Sequence, residues 1–337
     1  MMPDRSELAR DFLLTRESAP IYRIPNLNAA EPLGPAAIAI GAFDGLHTGH
    51  RELIARTVAD ARDRGCAAYA VTFDPDPDVV LGGDPVAHLL PMAERLRALA
   101  ATGVDGVIVV PFTRELAALD HAAFFERVLF PVCRVCSIHV GSDFRLGAGG
   151  ASTVEVIRAW CAPRGIDVTG HELVRDDGVP ISATRIRGLL AAGDVVAAAH
   201  ELGRRFAVRG IVSKGRHEGS DMGFPTANIV VPAGLQMPAD GVYAGLALTE
   251  GWVWPAAINV GVPPTFADRP GAAALEANLI GFSGELYGTT CALAFDRRLR
   301  PSRVFDSTEE LISAVLGNIA EVRAEFGEGG VKLGDDL

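Results

Sequence analysis

The sequence predicts an α/β domain followed by a small antiparallel β-barrel with a C-terminal helix, on three observations. The first half alternates apolar runs of strand length with segments of helical period, the pattern of a parallel sheet covered by helices. From Phe206 onward, strand-like runs follow one another directly, separated by glycine and proline. A final stretch, Thr308–Phe326, follows Ser307 and carries Glu310 three residues on, a capping box.

In order, Ala36–Ile40 is an apolar run and a buried strand, and Thr48–Arg64 is a helix carrying Leu53, Ile54 and Val58. Ala67–Phe73 is a strand that stops at Asp74-Pro75-Asp76-Pro77. Met92–Ala101 is a helix and Val107–Val110 a strand. Phe124–Phe130 is helical, Ser137–Val140 a short strand, Thr153–Cys161 a helix and Asp167–Leu173 a strand. Pro180–Arg187 then opens helical sequence running through Leu202, with Ser182 placed to cap it. The second half reads as strands at Ala207–Val212, Ala227–Val231, Val242–Leu248, Val253–Val260, Ala274–Ile280 and Cys291–Phe295. Thr249-Glu250-Gly251 joins two of them as a hairpin. The boundary between halves falls at Gly203–Phe206, and the tail after Gly327 is expected to fray.

The chain has 337 residues, 49% of them hydrophobic, enough for two domains with ample core. No apolar run is long enough to span a membrane, and the N-terminus lacks the order of a secretion signal. Five cysteines in so long a chain are no disulfide framework, and the lone Cys133-Arg-Val-Cys136 suits core packing better than zinc or redox chemistry. A cytoplasmic protein is the expectation. The net charge of −11 argues against nonspecific nucleic-acid binding, so an anionic substrate must be met by local arginines and helix termini.

The most informative stretch is Ile40-Gly-Ala-Phe-Asp-Gly-Leu-His-Thr-Gly-His50. It places His47 and His50 at a strand-to-helix junction, where free backbone N–H groups and the helix dipole favour an anion. Two imidazoles add donors there, an arrangement suited to a nucleoside triphosphate. Without further ligands at metal spacing, half a metal site is the weaker reading. His47, Asp74 and Asp143 all follow expected strands, so they are expected to face one crevice at the carboxyl ends of the sheet.

With these residues the chain resembles the bacterial bifunctional riboflavin kinase/FAD synthetase family along nearly its whole length. Gly41–His50 corresponds to the HxGH loop of the adenylyltransferase module. Thr72-Phe-Asp-Pro-Asp-Pro77, Gly141-Ser-Asp-Phe-Arg-Leu-Gly147 and Ile181-Ser-Ala-Thr-Arg-Ile-Arg187 match its later motifs. Gly223-Phe-Pro-Thr-Ala-Asn228, Asn259–Phe266, Leu275-Glu276 and Leu286-Tyr-Gly288 match the flavokinase barrel. The resemblance implies a Rossmann-like HxGH nucleotidyltransferase domain over 1–203, a riboflavin kinase-like barrel over 204–327 and a disordered tail over 328–337.

The implied first reaction is FMN plus ATP giving FAD and pyrophosphate. The FMN phosphate is already a nucleophile, so catalysis reduces to positioning and electrostatic stabilisation. The resemblance gives His47 and His50 the α- and β-phosphates and Arg187 the β/γ end. It gives nucleotide contacts to Gly41, Phe43, Asp44, Gly45, Asp143, Ser182 and Thr184, and implies Mg²⁺ on the triphosphate. The implied second reaction moves the γ-phosphate of ATP to riboflavin. Glu276 matches its base, Thr226 and Asn228 its metal-facing positions, and Gly210, Gly215 and Gly223 permissive backbone beside ATP. The expected partners are these small molecules, with no nucleic acid and no membrane, on a monomer or weak homo-oligomer.

Departures from the family pattern are specific. Ala42 stands where Asn is usual, Asp76 where His is usual and Ala183 where Ser is usual. Asp76 is expected to bring a negative charge near an anionic substrate. In the barrel, Glu218 and Ser220 replace arginines, Pro263 replaces Arg, Asn278 replaces His, and Arg300-Pro301-Ser302 stands for Arg-x-Glu. Two alternatives stay open: a specialised nucleotidyltransferase on a flavin analogue or related phosphometabolite with a weakened kinase, and a non-catalytic flavin-binding protein.

Overall fold

The computed structural model describes residues 1–14, 18–24, 32–82, 86–214, 224–261 and 275–333. It divides into two compact units, Glu17–Ala183 and Met1–Arg16 together with Thr184–Leu337.

The first unit is a six-stranded parallel sheet flanked by helices. Its strands are β1 (Ile21–Arg23), β2 (Leu33–Ile40), β3 (Ala67–Phe73), β4 (Gly106–Val110), β5 (Cys133–Gly141) and β6 (Asp167–His171), in the order β1-β4-β3-β2-β5-β6. The chain builds outward from β2 through β3 to β4, then returns to place β5 on the other side of β2. That reversal makes a topological switch point at the carboxyl ends of β2 and β5, where open α/β sheets bind ligands. β3, β4 and β2 from Ala36 onward are almost wholly buried, which explains their unbroken apolar sequence. Ile38, Ile40, Val71, Ile108, Ile138 and Val140 form the centre of the core.

The expected elements of this unit are present, with differences at their edges. Expected strand Ser137–Val140 extends back to Cys133, because Leu33–Ala39 of β2 pairs along it. The helical stretch expected over Phe124–Phe130 is a short α-helix, His121–Phe124, continued by a wider π-type turn over Phe125–Leu129. Two short features carry no period in the sequence: β1, and the hairpin of β7 (Arg175–Asp176) and β8 (Val179–Pro180).

The second unit is a closed six-strand antiparallel barrel. Its strands are β9 (Phe206–Ser213), β10 (Ala227–Val230), β11 (Gly241–Thr249), β12 (Trp252–Val260), β13 (Leu275–Leu279) and β14 (Thr290–Pro301). The order β11-β14-β9-β10-β13-β12 closes through the β11–β12 hairpin, whose register runs from Gly241–Val260 to Thr249–Trp252. Closure removes the sheet edges. Gly210 and Gly245 lie where a side chain would run into the backbone of Val230 and Ala294, so tight strand crossing requires glycine there.

This unit also takes in segments expected to belong with the first. The helix Arg5–Asp11 buries Leu8, and Phe12 just beyond it is buried too, in the barrel's outer core with Ile319, Val322 and Phe326. Arg205 locks it there by pairing with Glu7, Asp11 and Asp296, each at 2.7 Å. The helices Ala183–Ala192 and Val195–Leu202 precede the barrel, so the compact units divide between Ala183 and Thr184 rather than near Gly203. The tail expected to fray is ordered through Leu333: β15 (Val331–Lys332) pairs with Trp252 and Val253, and Leu333 is buried. The capping box at Thr308–Phe326 forms in a shifted version. Ser307 Oγ accepts from Glu310 N, while Glu310 accepts from Asp306 N one residue before the cap.

Candidate active site

The loop between β2 and the helix Thr48–Arg64 is held by unusual backbone. Phe43, Gly45 and Leu46 all take positive φ, of 55°, 74° and 43°. For Phe and Leu this is a costly conformation, which neighbouring contacts must enforce. Arg95, which is 1% exposed, braces the loop on either side of Phe43. It donates to Ala42 O at 3.1 Å, to Asp44 at 3.3 Å, and to both oxygens of Asp76 at 2.5 and 2.8 Å. Asp44 also accepts from the backbone N–H groups of Leu89 and Leu90. Thr72 Oγ1 reaches Ala42 O from β3.

So braced, the loop delivers both histidines to the start of the helix. His47 is the N-cap, and its Nδ1 accepts from the His50 backbone N–H. The two imidazoles stack at 3.6 Å between centroids, and Phe43 meets His50 edge-on at 5.3 Å. Burial, then His47 and Arg95, push the His50 imidazole well below its ordinary value of 6.5, so it is neutral at neutral pH. Its Nδ1 is buried without a hydrogen-bond partner, an orphan of the kind that marks a ligand site. A Cβ on Gly49 would lie 3.2 Å from the His47 ring, so a side chain there would push the ring aside by a few tenths of an ångström.

A pocket of ≈ 240 Å³ opens at the switch point. Gly41, Phe43, His47, Gly49 and His50 line it from the loop. Gly141, Asp143 and Phe144 line it from the end of β5, and His171 to Val174 from the end of β6. Glu52, Leu53 and Arg56 line it from the helix, and Ile40, Ile181, Ser182 and Ala183 complete it. A Cβ at Gly141 would lie 2.9 Å from Asp143 Oδ1, so a side chain there would displace the Asp143 carboxylate.

Six of the expected nucleotide-facing residues therefore converge: Gly41, Phe43, His47, His50, Asp143 and Ser182. Asp44 and Gly45 do not line the pocket; they sit beneath it, Asp44 as a buried acceptor for Leu89, Leu90 and Arg95. Asp74 is also absent from the lining and pairs with Arg23 at 2.7 Å. Asp76 differs from expectation in a second way: its charge is matched by Arg95 and faced by His88 at 3.3 Å, rather than left to confront a substrate. Sequence reasoning missed Arg95. The available signal was an arginine four residues before Leu99, on the apolar stripe of its helix, where charge is tolerated only when paired. Thr184 and Arg187 lie in the second unit, on the helix Ala183–Ala192, with Arg187 just over one turn from its start.

In the barrel, cross-strand register aligns polar residues in one row. Asn228 of β10 sits opposite Ser213 of β9 and Glu276 of β13, and Glu276 sits opposite Asn259 of β12. Directly opposite residues share a face. Their neighbours Ala227, Ile229, Leu275 and Ala277 are buried on the other face, in the barrel interior. Thr226 lies two residues before Asn228, half-buried, and Asn278 donates to Pro225 O at 2.8 Å. Gly210 is buried within β9, where strand packing accounts for it. Gly215, Gly223, Glu218, Ser220 and Pro263 lie outside the described residues. Among the described residues no cluster of three or more metal-ligating side chains forms, and Cys133 and Cys136 are free thiols.

The residues match two family models in tandem, FAD synthetase over 30–185 and riboflavin kinase over 202–326. The bifunctional riboflavin kinase/FMN adenylyltransferase of Escherichia coli K12 is 34% identical over 310 residues, spanning 91% of this chain and 97% of its own. The chain belongs to that bifunctional family. The namesake of Pseudomonas fluorescens is 33% identical over 85% of this chain, and that of Bacillus subtilis 31% identical over 85%. A crystal structure named as a macrolide-efflux protein from Streptococcus pneumoniae shares the fold, with a TM-score of 0.80 at 29% identity over 90% of this chain and 98% of that one.

Proposed function

We propose that the chain makes FAD in two steps, phosphorylating riboflavin to FMN in the barrel and adenylylating FMN at the switch-point pocket. The observation that carries the second step is the convergence of His47, His50, Asp143 and Ser182 on one pocket at a helix N-terminus. An FMN phosphate oxygen attacks the α-phosphorus of ATP, the bond to the β-phosphate oxygen breaks, and pyrophosphate leaves. No protein nucleophile is required. The backbone N–H groups of the first helical turn and the neutral His50 imidazole stabilise charge as it rises on the phosphates. The strained loop holds them in place beforehand, so little reorganisation accompanies reaction. Arg187 keeps the β/γ-phosphate role that the resemblance gives it, and Thr184 a hydroxyl contact.

For the first step, Glu276 takes the proton of the riboflavin hydroxyl as its oxygen attacks the γ-phosphorus and ADP leaves. Thr226 and Asn228 offer hard oxygen donors beside Glu276, which fits Mg²⁺; that ion prefers oxygen and keeps waters and phosphate oxygens as its remaining ligands. Bound there, Mg²⁺ would neutralise triphosphate charge. The working form is a cytoplasmic monomer or weak homo-oligomer; no helix among the described residues is long and apolar enough to cross a membrane.

Supplying the purified chain with ATP and Mg²⁺ plus either riboflavin or FMN tests both steps. FAD from both substrates supports the proposal. FAD from FMN alone removes the kinase step, and flavin binding without product removes both.

A further inference from the structure

The pocket has a second polar end that the phosphate chemistry leaves unused. Arg56 lies six residues beyond His50 on the helix Thr48–Arg64, about 9 Å along the axis from the phosphate end. Leu53, Leu173 and Val174 make the wall around it apolar. The Arg56 guanidinium is held on two sides: one nitrogen donates to Glu52, which also lines the pocket, and Nη1 lies 3.1 Å from His171 Nδ1.

Behind His171 the contacts continue. His171 Nε2 lies 2.9 Å from His139 Nδ1, and His139 Nε2 lies 3.0 Å from Asp60 Oδ2. One proton assignment satisfies them all. Arg56 donates to His171 Nδ1, His171 Nε2–H donates to His139 Nδ1, and His139 Nε2–H donates to Asp60. Asp60 anchors the far end, accepting also from Ser137 and Arg64, which in turn reaches Asp167. Burial alone would raise the Asp60 carboxyl, but the hydrogen bonds from Ser137, Arg64 and His139 bring it to about 2. Burial, then His139 and Arg56, keep His171 below its ordinary value, so it stays an acceptor toward Arg56 at neutral pH. The result is a half-exposed guanidinium held by two partners, beside a half-exposed carboxylate, at the end of an apolar slot.

We propose that Arg56 and Glu52 form a donor–acceptor edge that reads the base of the nucleotide, with His171, His139 and Asp60 as positioning residues that hold Arg56 in place. A purine edge presents ring-nitrogen or carbonyl acceptors beside amino or ring N–H donors; a guanidinium and a carboxylate side by side complement it. The apolar walls suit a flat heterocycle, and the spacing to the helix N-terminus is about the length of one nucleoside. The proposal rests on the adenylyl-transfer reading for the identity of the nucleotide.

The test is steady-state FAD formation by the full chain with FMN and either ATP or GTP, for wild type, Arg56→Gln, His171→Gln and the double variant. Arg56→Gln should raise KM for ATP about tenfold with kcat little changed, and change the preference between ATP and GTP. His171→Gln should move the same quantities less, and the double variant should be no worse than Arg56→Gln alone, because His171 acts through Arg56. His139→Gln should follow His171→Gln. An unchanged KM and preference in Arg56→Gln overturns the proposal, as does an additive double variant. A KM change confined to FMN assigns the edge to the flavin and overturns the base assignment. Calorimetric binding of MgATP and MgGTP to the same proteins makes the comparison without turnover. A wild type that forms no FAD but binds MgATP, and loses that binding in Arg56→Gln, would refute adenylyl transfer while upholding the edge.

Discussion

Replacing Arg95 with Met should unfold the nucleotide loop from beneath. Arg95 is buried and is the shared partner of two carboxylates, Asp76 and Asp44, whose side chains are 8% and 7% exposed. A methionine fills much of the volume but leaves both carboxylates and the Ala42 carbonyl without that donor. Leaving buried charge uncompensated typically costs about 3–5 kcal/mol. For a unit of this size that is roughly a 6–20 °C loss in melting temperature. The unit contains one tryptophan, Trp160, against Trp252 and Trp254 in the barrel, so urea unfolding followed by fluorescence in a Trp252→Phe, Trp254→Phe background isolates it. Adenylyl transfer should fall with stability, because the loop that carries Phe43 and Leu46 at positive φ loses its brace at Ala42 and Asp44. The same logic reverses the expectation for Asp76. Restoring the histidine usual in the family would set an imidazole against Arg95 in place of a bidentate carboxylate, and should destabilise the unit rather than speed the reaction. A cost below about 1 kcal/mol for Arg95→Met, on the scale of a surface pair, would refute the reasoning.

Other outcomes follow from the same geometry. His50→Ala should abolish FAD formation from FMN while leaving riboflavin phosphorylation intact; loss of both activities would contradict separate sites. The folded-state value of His50 lies below the unfolded 6.5, so the unfolded chain binds its proton more readily. Stability should therefore be constant above about pH 6.5 and decline as pH falls below it, with a shallower slope in His50→Gln, as read by urea unfolding across pH. Gly49→Ala should leave stability equal or slightly higher, since alanine favours the helix by up to about 1 kcal/mol. It should nevertheless slow adenylyl transfer by displacing the His47 ring, and unchanged kcat/KM would count against the stack. Glu276→Gln should stop FMN formation without affecting FAD formation from supplied FMN, as product chromatography would show.

Much of the fold was legible because each half carries one clean period. Ala67–Phe73, Thr48–Arg64 and Thr308–Phe326 have the same limits in the sequence reading and in the structure. Among the elements that escaped, Ile21–Arg23 and Val331–Lys332 are too short to show a period and exist only because a neighbouring strand offers hydrogen bonds. The helix Arg5–Asp11 escaped for a related reason: its place is set by Arg205, far away in the chain.

The sequence by itself determined the layer architecture, the barrel and the presence of two histidines at a helix start, because these depend on local period and local backbone chemistry. Only the tertiary structure decided which charges meet. Asp44 and Asp76 read as substrate-facing carboxylates, yet both turn to Arg95; His139 and His171, thirty-two residues apart, join Asp60 and Arg56 in one line. Charge pairing is a property of three-dimensional neighbours on different elements. A buried ion is tolerated only where the fold supplies its partner, so no spacing along the chain announces it.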